Sequence, residues 1–176
     1  RLGFNNDGIE AVVGRIKQEK KEGILGINIG PNKKTLDQKN DFSLGLKNFL
    51  DLADYITINI SSPNTTGLRD FHGQEKLIDL LVTLNKIKKE KKSDTPLLLK
   101  VSPDITENDI PKITDAATNN NISAIILTNT TNRNRDHLTN EMKLEEGGLS
   151  GEPLQKISTN MIAKFYKQLN GRIPII

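Results

Sequence analysis

The 176 residues predict an α/β fold: a parallel (β/α)8 TIM barrel, of which this chain covers the central part, about five strands. Three observations point there. Short apolar runs alternate with longer amphipathic stretches along the whole chain. Continuous apolar strands separated by helices pair in parallel and are buried on both faces. Neither GxGxxG nor GxxxxGK[ST] occurs, which weakens the other architecture this order allows, a nucleotide-binding open sheet. A full barrel takes about 250 residues and eight strands, so the chain reads as an incomplete one.

The elements follow in order. Ile9, Val12, Val13 and Ile16 lie at i, i+3, i+4 and i+7 within residues 8–23, the spacing of one helix face. The run "ILGINIG" (24–30) is the first strand, and "FSLGLKNFLDLA" (42–53) the next helix. "DYITINIS" (54–61) is followed by the helix "QEKLIDLLVTLNKIKKEKK" (74–92). That helix ends in a lysine cluster, as suits a solvated C-terminus facing the negative end of the helix dipole. "PLLLKVS" (96–102) precedes a helix over 107–121, and "ISAIILTN" (122–129) precedes one over 153–171. Pro153 fits a first helical turn and Gly171 a C-terminal stop. "IPII" (173–176) reads as a fifth strand. The long polar connection 130–150 is expected beside the site rather than in the core. Both ends read as cuts, so residues 1–176 are taken as a partial barrel domain truncated at each end.

Composition excludes several chemistries. The absence of cysteine removes disulfides, thiolate catalysis and cysteine-ligated metals. The histidines, His72 and His137, lack a zinc-like spacing. A net charge of +3 and 4% aromatic residues give no sign of a nucleic-acid partner. No apolar run approaches the ~20 residues of a membrane-spanning helix.

Ligands of parallel α/β folds bind at the C-terminal ends of the strands. There the first strand presents Asn28 and Gly30, and the second Asn59, Ser61, Ser62 and Asn64. The third carries Lys100 within "LLLKV", and the fourth ends in Thr128, Asn129, Thr130 and Thr131. A lysine in a buried strand needs an anion, an edge position that lets it reach water, or an electron-rich ligand. Asparagines at successive strand ends offer donors and acceptors together, which suits a planar heterocycle with alternating C=O and N–H groups. Singly, each asparagine reads as a turn or cap residue. "GGLSG" (147–151) is a glycine-rich turn whose N–H groups could meet a phosphate or a ring edge. Nothing in the spacing pairs Ser62 with a histidine.

Seven ordered motifs then identify a resemblance over nearly the whole chain. They are "RLGFNNDG", "GILGINIGPNK", "ADYITINISSPNTTGLR", "LLLKVSPD", "ILTNTTNR", "GGLSGEPL" and "NGRIPII". Together they resemble dihydroorotate dehydrogenase, the FMN-dependent enzyme of pyrimidine synthesis. Serine stands where class 1 enzymes use cysteine, so the chain is similar to class 2, the membrane-associated form that passes electrons to quinone. The resemblance implies oxidation of dihydroorotate to orotate. Ser62 matches the base that takes the C5 proton, while hydride passes from C6 to N5 of FMN. It further implies FMN contacts from Asn28, Asn59, Lys100, Thr128 and Gly151. Substrate contacts are implied for Arg1, Leu2, Gly3, Phe4, Asn59, Asn64, Asn129 and Thr130. Lys100 matches the lysine at the flavin pyrimidine edge, where a cation stabilises the anionic reduced ring. The segment "PNTTGLR" matches a lid, in which Thr66 replaces a common proline.

Peripheral association with the bacterial or mitochondrial inner membrane is implied through a segment outside these residues. Family parts that hold the FMN phosphate also lie outside them, so the 176-residue piece by itself is expected to be inactive. Two rivals remain at this stage. Other flavin barrels share some motifs but use cysteine as the acid or base. The second is a truncated or degenerate segment of such an enzyme without present activity, though every matched catalytic position is intact, which argues against long decay.

Overall fold

The computed structural model describes residues 5–19, 22–62, 67–133, 135–136 and 138–176. Helix α1 (Ile9–Gln18) leads to β1 (Gly26–Ile29), and α2 (Gln38–Phe49) to β2 (Tyr55–Asn59). Next come α3 (Gln74–Glu90), β3 (Leu97–Val101), α4 (Asp109–Asn119), β4 (Ala124–Leu127) and α5 (Glu152–Leu169). Two short 3-10 turns, Leu68–His72 and Glu141–Leu144, sit in the connections.

The four strands are parallel and lie in chain order, β1-β2-β3-β4. The expected fifth strand is present as a parallel bridge, Ile125 to Ile175. Strand order never reverses, so the described sheet has no switch point of the kind that marks doubly wound folds. Each helix packs on the next, α1 through α5, giving one continuous layer on one side of the sheet. Sequential parallel strands under one helical layer are an arc of a (β/α)8 barrel.

Alternation along the strands separates two faces. Ile56, Ile58, Leu97, Leu99, Val101 and Ile125 are buried, and with Phe42, Leu46, Leu80, Leu84, Ile113 and Phe165 form the core between strands and helices. Burying one such side chain is worth roughly 1.5–3 kcal/mol, so this layer carries the fold. The other face is the barrel interior. It presents Asn28, Thr57, Asn59, Leu98, Lys100 and Ala124. At the N-terminal end of this face a Cβ on Gly26 would meet the outer ring atoms of Tyr55.

Element ends show local chemistry at work. Helix α2 begins at Gln38, earlier than expected, because Asp37 caps it by accepting from the Asn40 N–H at 2.9 Å. Helix α5 has Pro153 in its first turn and ends through left-handed Asn170, followed by Gly171 with φ +78°. No described helix is long and apolar enough to cross a membrane.

Candidate functional site

The polar strand ends meet at one rim. Asn59 is the register partner of Lys100, and Lys100 of Ile126, so these three share one inward row. Asn28 lies one row below, beside Thr57, Leu98 and Ala124. The expected convergence of three asparagines is therefore two plus one. Asn59 and Asn129 join through Ser61, while Asn28 stands apart and exposed on the edge strand β1.

Lys100 is half-buried on β3, an inner strand between β2 and β4. It makes no ion pair or hydrogen bond among the described residues. The two structural readings, an ion pair and an edge lysine, thus lose their footing here. A cation on an inward row with no carboxylate beside it favours an anionic or electron-rich ligand.

Ser61 is fully buried (0% exposed) and holds the rim together. Its backbone N–H donates to Asn59 Oδ1 at 3.1 Å and its hydroxyl donates to the same atom at 2.6 Å. In turn Asn129 Nδ2 donates to the Ser61 hydroxyl at 2.8 Å, and the Thr130 N–H donates to Asn129 Oδ1 at 2.7 Å. Ser62, 6% exposed, follows directly. Thr128 reaches Ser158 of α5 at 3.4 Å between hydroxyl oxygens, and Gly151, with φ +79°, precedes the first turn of α5. Arg1, Leu2, Gly3, Phe4, Asn64 and Thr66 lie outside the described residues.

An ion pair that sequence reasoning did not single out fastens Arg69, beyond the end of β2, to the loops after β3 and β4. Arg69 Nη1 lies 2.7 Å from Asp104 Oδ2 and donates to Asn132 Oδ1 at 2.8 Å, while its Nε reaches the Ser61 carbonyl at 3.4 Å. Asp104 also accepts from the Thr131 hydroxyl and from the Asn132 N–H at 3.2 Å. One guanidinium thereby links the ends of β2, β3 and β4. Beyond Arg69, Phe71 packs edge-on against Phe42 of α2, with ring centroids 5.8 Å apart. The "GGLSG" turn is drawn in as well: Thr131 and Leu149 form an antiparallel bridge, and a Cβ on Gly148 would collide with Thr130. Arg135 pins the rest of this connection by donating to the carbonyls of Lys143, Glu145 and Gly147.

In the 3-10 turn that holds Arg69, His72 is buried and its Nε2 has no partner among the described residues. Burial, with the Arg69 guanidinium adding to it, lowers its pKa to about 4. The folded protein keeps this imidazole neutral at a pH where the unfolded chain, near 6.5, already takes a proton. Stability contributed here is therefore complete above about pH 6.5 and is lost as pH falls toward 4, up to roughly 3 kcal/mol. Urea unfolding of the complete protein between pH 7.5 and 5 checks this. The acid-side loss is expected to be visibly smaller in His72→Gln, and equal slopes would remove His72 as the cause.

A cleft of about 520 Å³ runs along the open edge of β1, lined by Ile9, Asn28, Ile29, Asp41 and Phe49 among others. It touches the rim through Asn28 and is separate from the Ser61 cluster. No group of three or more histidine, aspartate or glutamate side chains that could hold a metal is found among the described residues.

Comparison with known proteins gives a consistent result. The family model for dihydroorotate dehydrogenase matches residues 1–176. The chain is 41% identical to a dihydroorotate dehydrogenase (quinone) of Bartonella tribocorum, over all of this chain and 50% of that protein. It is 45% identical to the Wigglesworthia glossinidia brevipalpis protein of the same description, over all of this chain and 54% of that one. The crystal structure of Eimeria tenella DHODH in complex with ferulenol superposes with a TM-score of 0.92 at 31% identity, covering 99% of this chain and 54% of that one. The chain thus spans about half the length of the curated relatives it matches.

Proposed function

The chain belongs to the dihydroorotate dehydrogenase family, and from that premise we propose that the protein containing it oxidises dihydroorotate to orotate, with FMN as cofactor and quinone as electron acceptor. One observation carries the reading: on the inward row, Asn59 and Lys100 sit side by side, and the lysine lacks a counter-charge among the described residues. This pair fits the flavin group on its own chemistry. Amide N–H groups and an ammonium are the partners that the carbonyl-rich pyrimidine edge of a flavin requires. FMN, when bound, supplies the hydride acceptor.

The protein's own residues do the rest. Lys100 favours negative charge on the ring edge it faces. Asn28 and Asn59, with Thr128 and Gly151 toward α5, hold the cofactor. Ser62 removes the C5 proton of dihydroorotate, and its burial at the lid foot keeps bulk water from the hydroxyl. Asn59, Asn64, Asn129, Thr130 and the segment Arg1–Phe4 bind the substrate. Residues 1–176 are then part of an FMN-binding barrel domain, and membrane association belongs to a segment outside them.

The complete purified protein tests this directly. It is expected to be yellow, to bleach when dihydroorotate is added without oxygen, and to form orotate catalytically when a quinone is supplied. Flavin-loaded protein that dihydroorotate leaves oxidised would overturn the proposal.

A further inference from the structure

We propose that Ser61 is a positioning residue whose hydroxyl ties Asn59 and Asn129 together in the orientation that two neighbouring backbone N–H groups mark, so that both offer N–H donors to the bound ligand. The inference rests on the functional reading above and goes further by giving the rim a polarity. Two backbone groups set that polarity, because a backbone N–H can only donate. The Ser61 N–H marks the inner end of the Asn59 amide as oxygen, and the Thr130 N–H does the same for Asn129. The Ser61 hydroxyl has one proton. It gives this proton to Asn59 Oδ1 at 2.6 Å and therefore accepts from Asn129 Nδ2 at 2.8 Å.

The cluster is a one-way relay of donors, from Asn129 through Ser61 to Asn59. What it leaves for a ligand follows by subtraction. Both oxygens are engaged by the protein. The Asn59 Nδ2 group has no acceptor among the described residues, and one N–H of Asn129 remains after Ser61 has taken the other. With Lys100 alongside Asn59, the rim offers donors and positive charge, so the ligand edge lying there must carry acceptors. A carbonyl or carboxylate edge fits; an N–H edge is refused. Full burial of Ser61 means that no water can replace its hydroxyl in this role.

Kinetics of the complete protein test the idea with Ser61→Ala and Ser61→Cys. Ser61→Ala is expected to raise the KM for dihydroorotate and the Kd for orotate, followed by the flavin absorbance shift, about tenfold, the worth of one good hydrogen bond. Its kcat should stay within about threefold, since no proton-transfer group is removed. The thiol, a weak donor and acceptor, should give intermediate values. Unchanged KM and Kd would overturn the proposal, as would a fall in kcat alone. Should Ser61→Ala not fold, parent-like KM and Kd in Ser61→Cys would overturn it equally. A crystal structure of the variant supplies a readout free of any substrate: Asn129 is expected to leave its present position, and an unmoved Asn129 sinks the inference. A parent protein that fails to oxidise dihydroorotate sinks the functional reading instead.

Discussion

Asp104→Ala in the complete protein is expected to lower unfolding stability by about 3–5 kcal/mol, the range for breaking a buried ion pair from one side. The side chain of Asp104 is 5% exposed, and its two oxygens accept from Arg69, the Thr131 hydroxyl and the Asn132 N–H. Removing the carboxylate leaves three donors facing one another with little water to replace it. Arg69 is 25% exposed and can rehydrate in part, which favours the lower end of the range. Its Nη2 has no partner among the described residues, so little there is left to compensate. Asp104→Asn keeps the shape and can turn its N–H group to the Thr131 hydroxyl, but it loses the charge that faces Arg69, and should fall between parent and alanine. Urea unfolding of the three proteins measures the series. A midpoint for Asp104→Ala within error of the parent would mean that the pair does not hold these strand ends together.

That same pair shows why part of the site was hidden in the sequence. Arg69 and Asp104 are 35 residues apart, and no period or motif chemistry joins them. Pairing of this kind comes from strand register, which places the loops after β2, β3 and β4 at one rim. Strands and helices were legible because their apolar spacing reflects burial on one face. Helix α2 was misjudged at its start because Asp37 acts by capping, ahead of the first apolar position. Lys100 was legible for the opposite reason: a charge inside an apolar strand contradicts its surroundings, and such a contradiction marks function. The three asparagines looked equivalent in sequence. Register separates them, with Asn28 one row below Asn59 and Lys100. Nothing in the sequence sets Ser61 apart from Ser62, and its part is visible only in its hydrogen bonds to both remaining asparagines.

Ser62→Ala is expected to leave a folded, yellow protein whose flavin is reduced by dihydroorotate roughly 10²–10⁴-fold more slowly, the usual loss with a general base. The change removes one hydroxyl from a 6% exposed side chain, a loss of about 1 kcal/mol that leaves the fold standing. What disappears, on the proposed function, is the acceptor for the C5 proton. Cofactor content and orotate affinity should stay near the parent's, since the Asn59–Ser61–Asn129 relay does not include Ser62. The neighbouring serines are thereby separated by kind of effect: Ser61→Ala acts on KM and Ser62→Ala on the reductive step. Ser62→Cys sharpens the test. A thiol ionises near pH 8.5, far below an alcohol, so this variant should retain a measurable rate whose pH profile moves to lower pH. Stopped-flow bleaching of the flavin across pH 5–10 reads all three proteins. If Ser62→Ala reduces its flavin within about threefold of the parent, proton removal belongs to another group and the role of Ser62 must be given up.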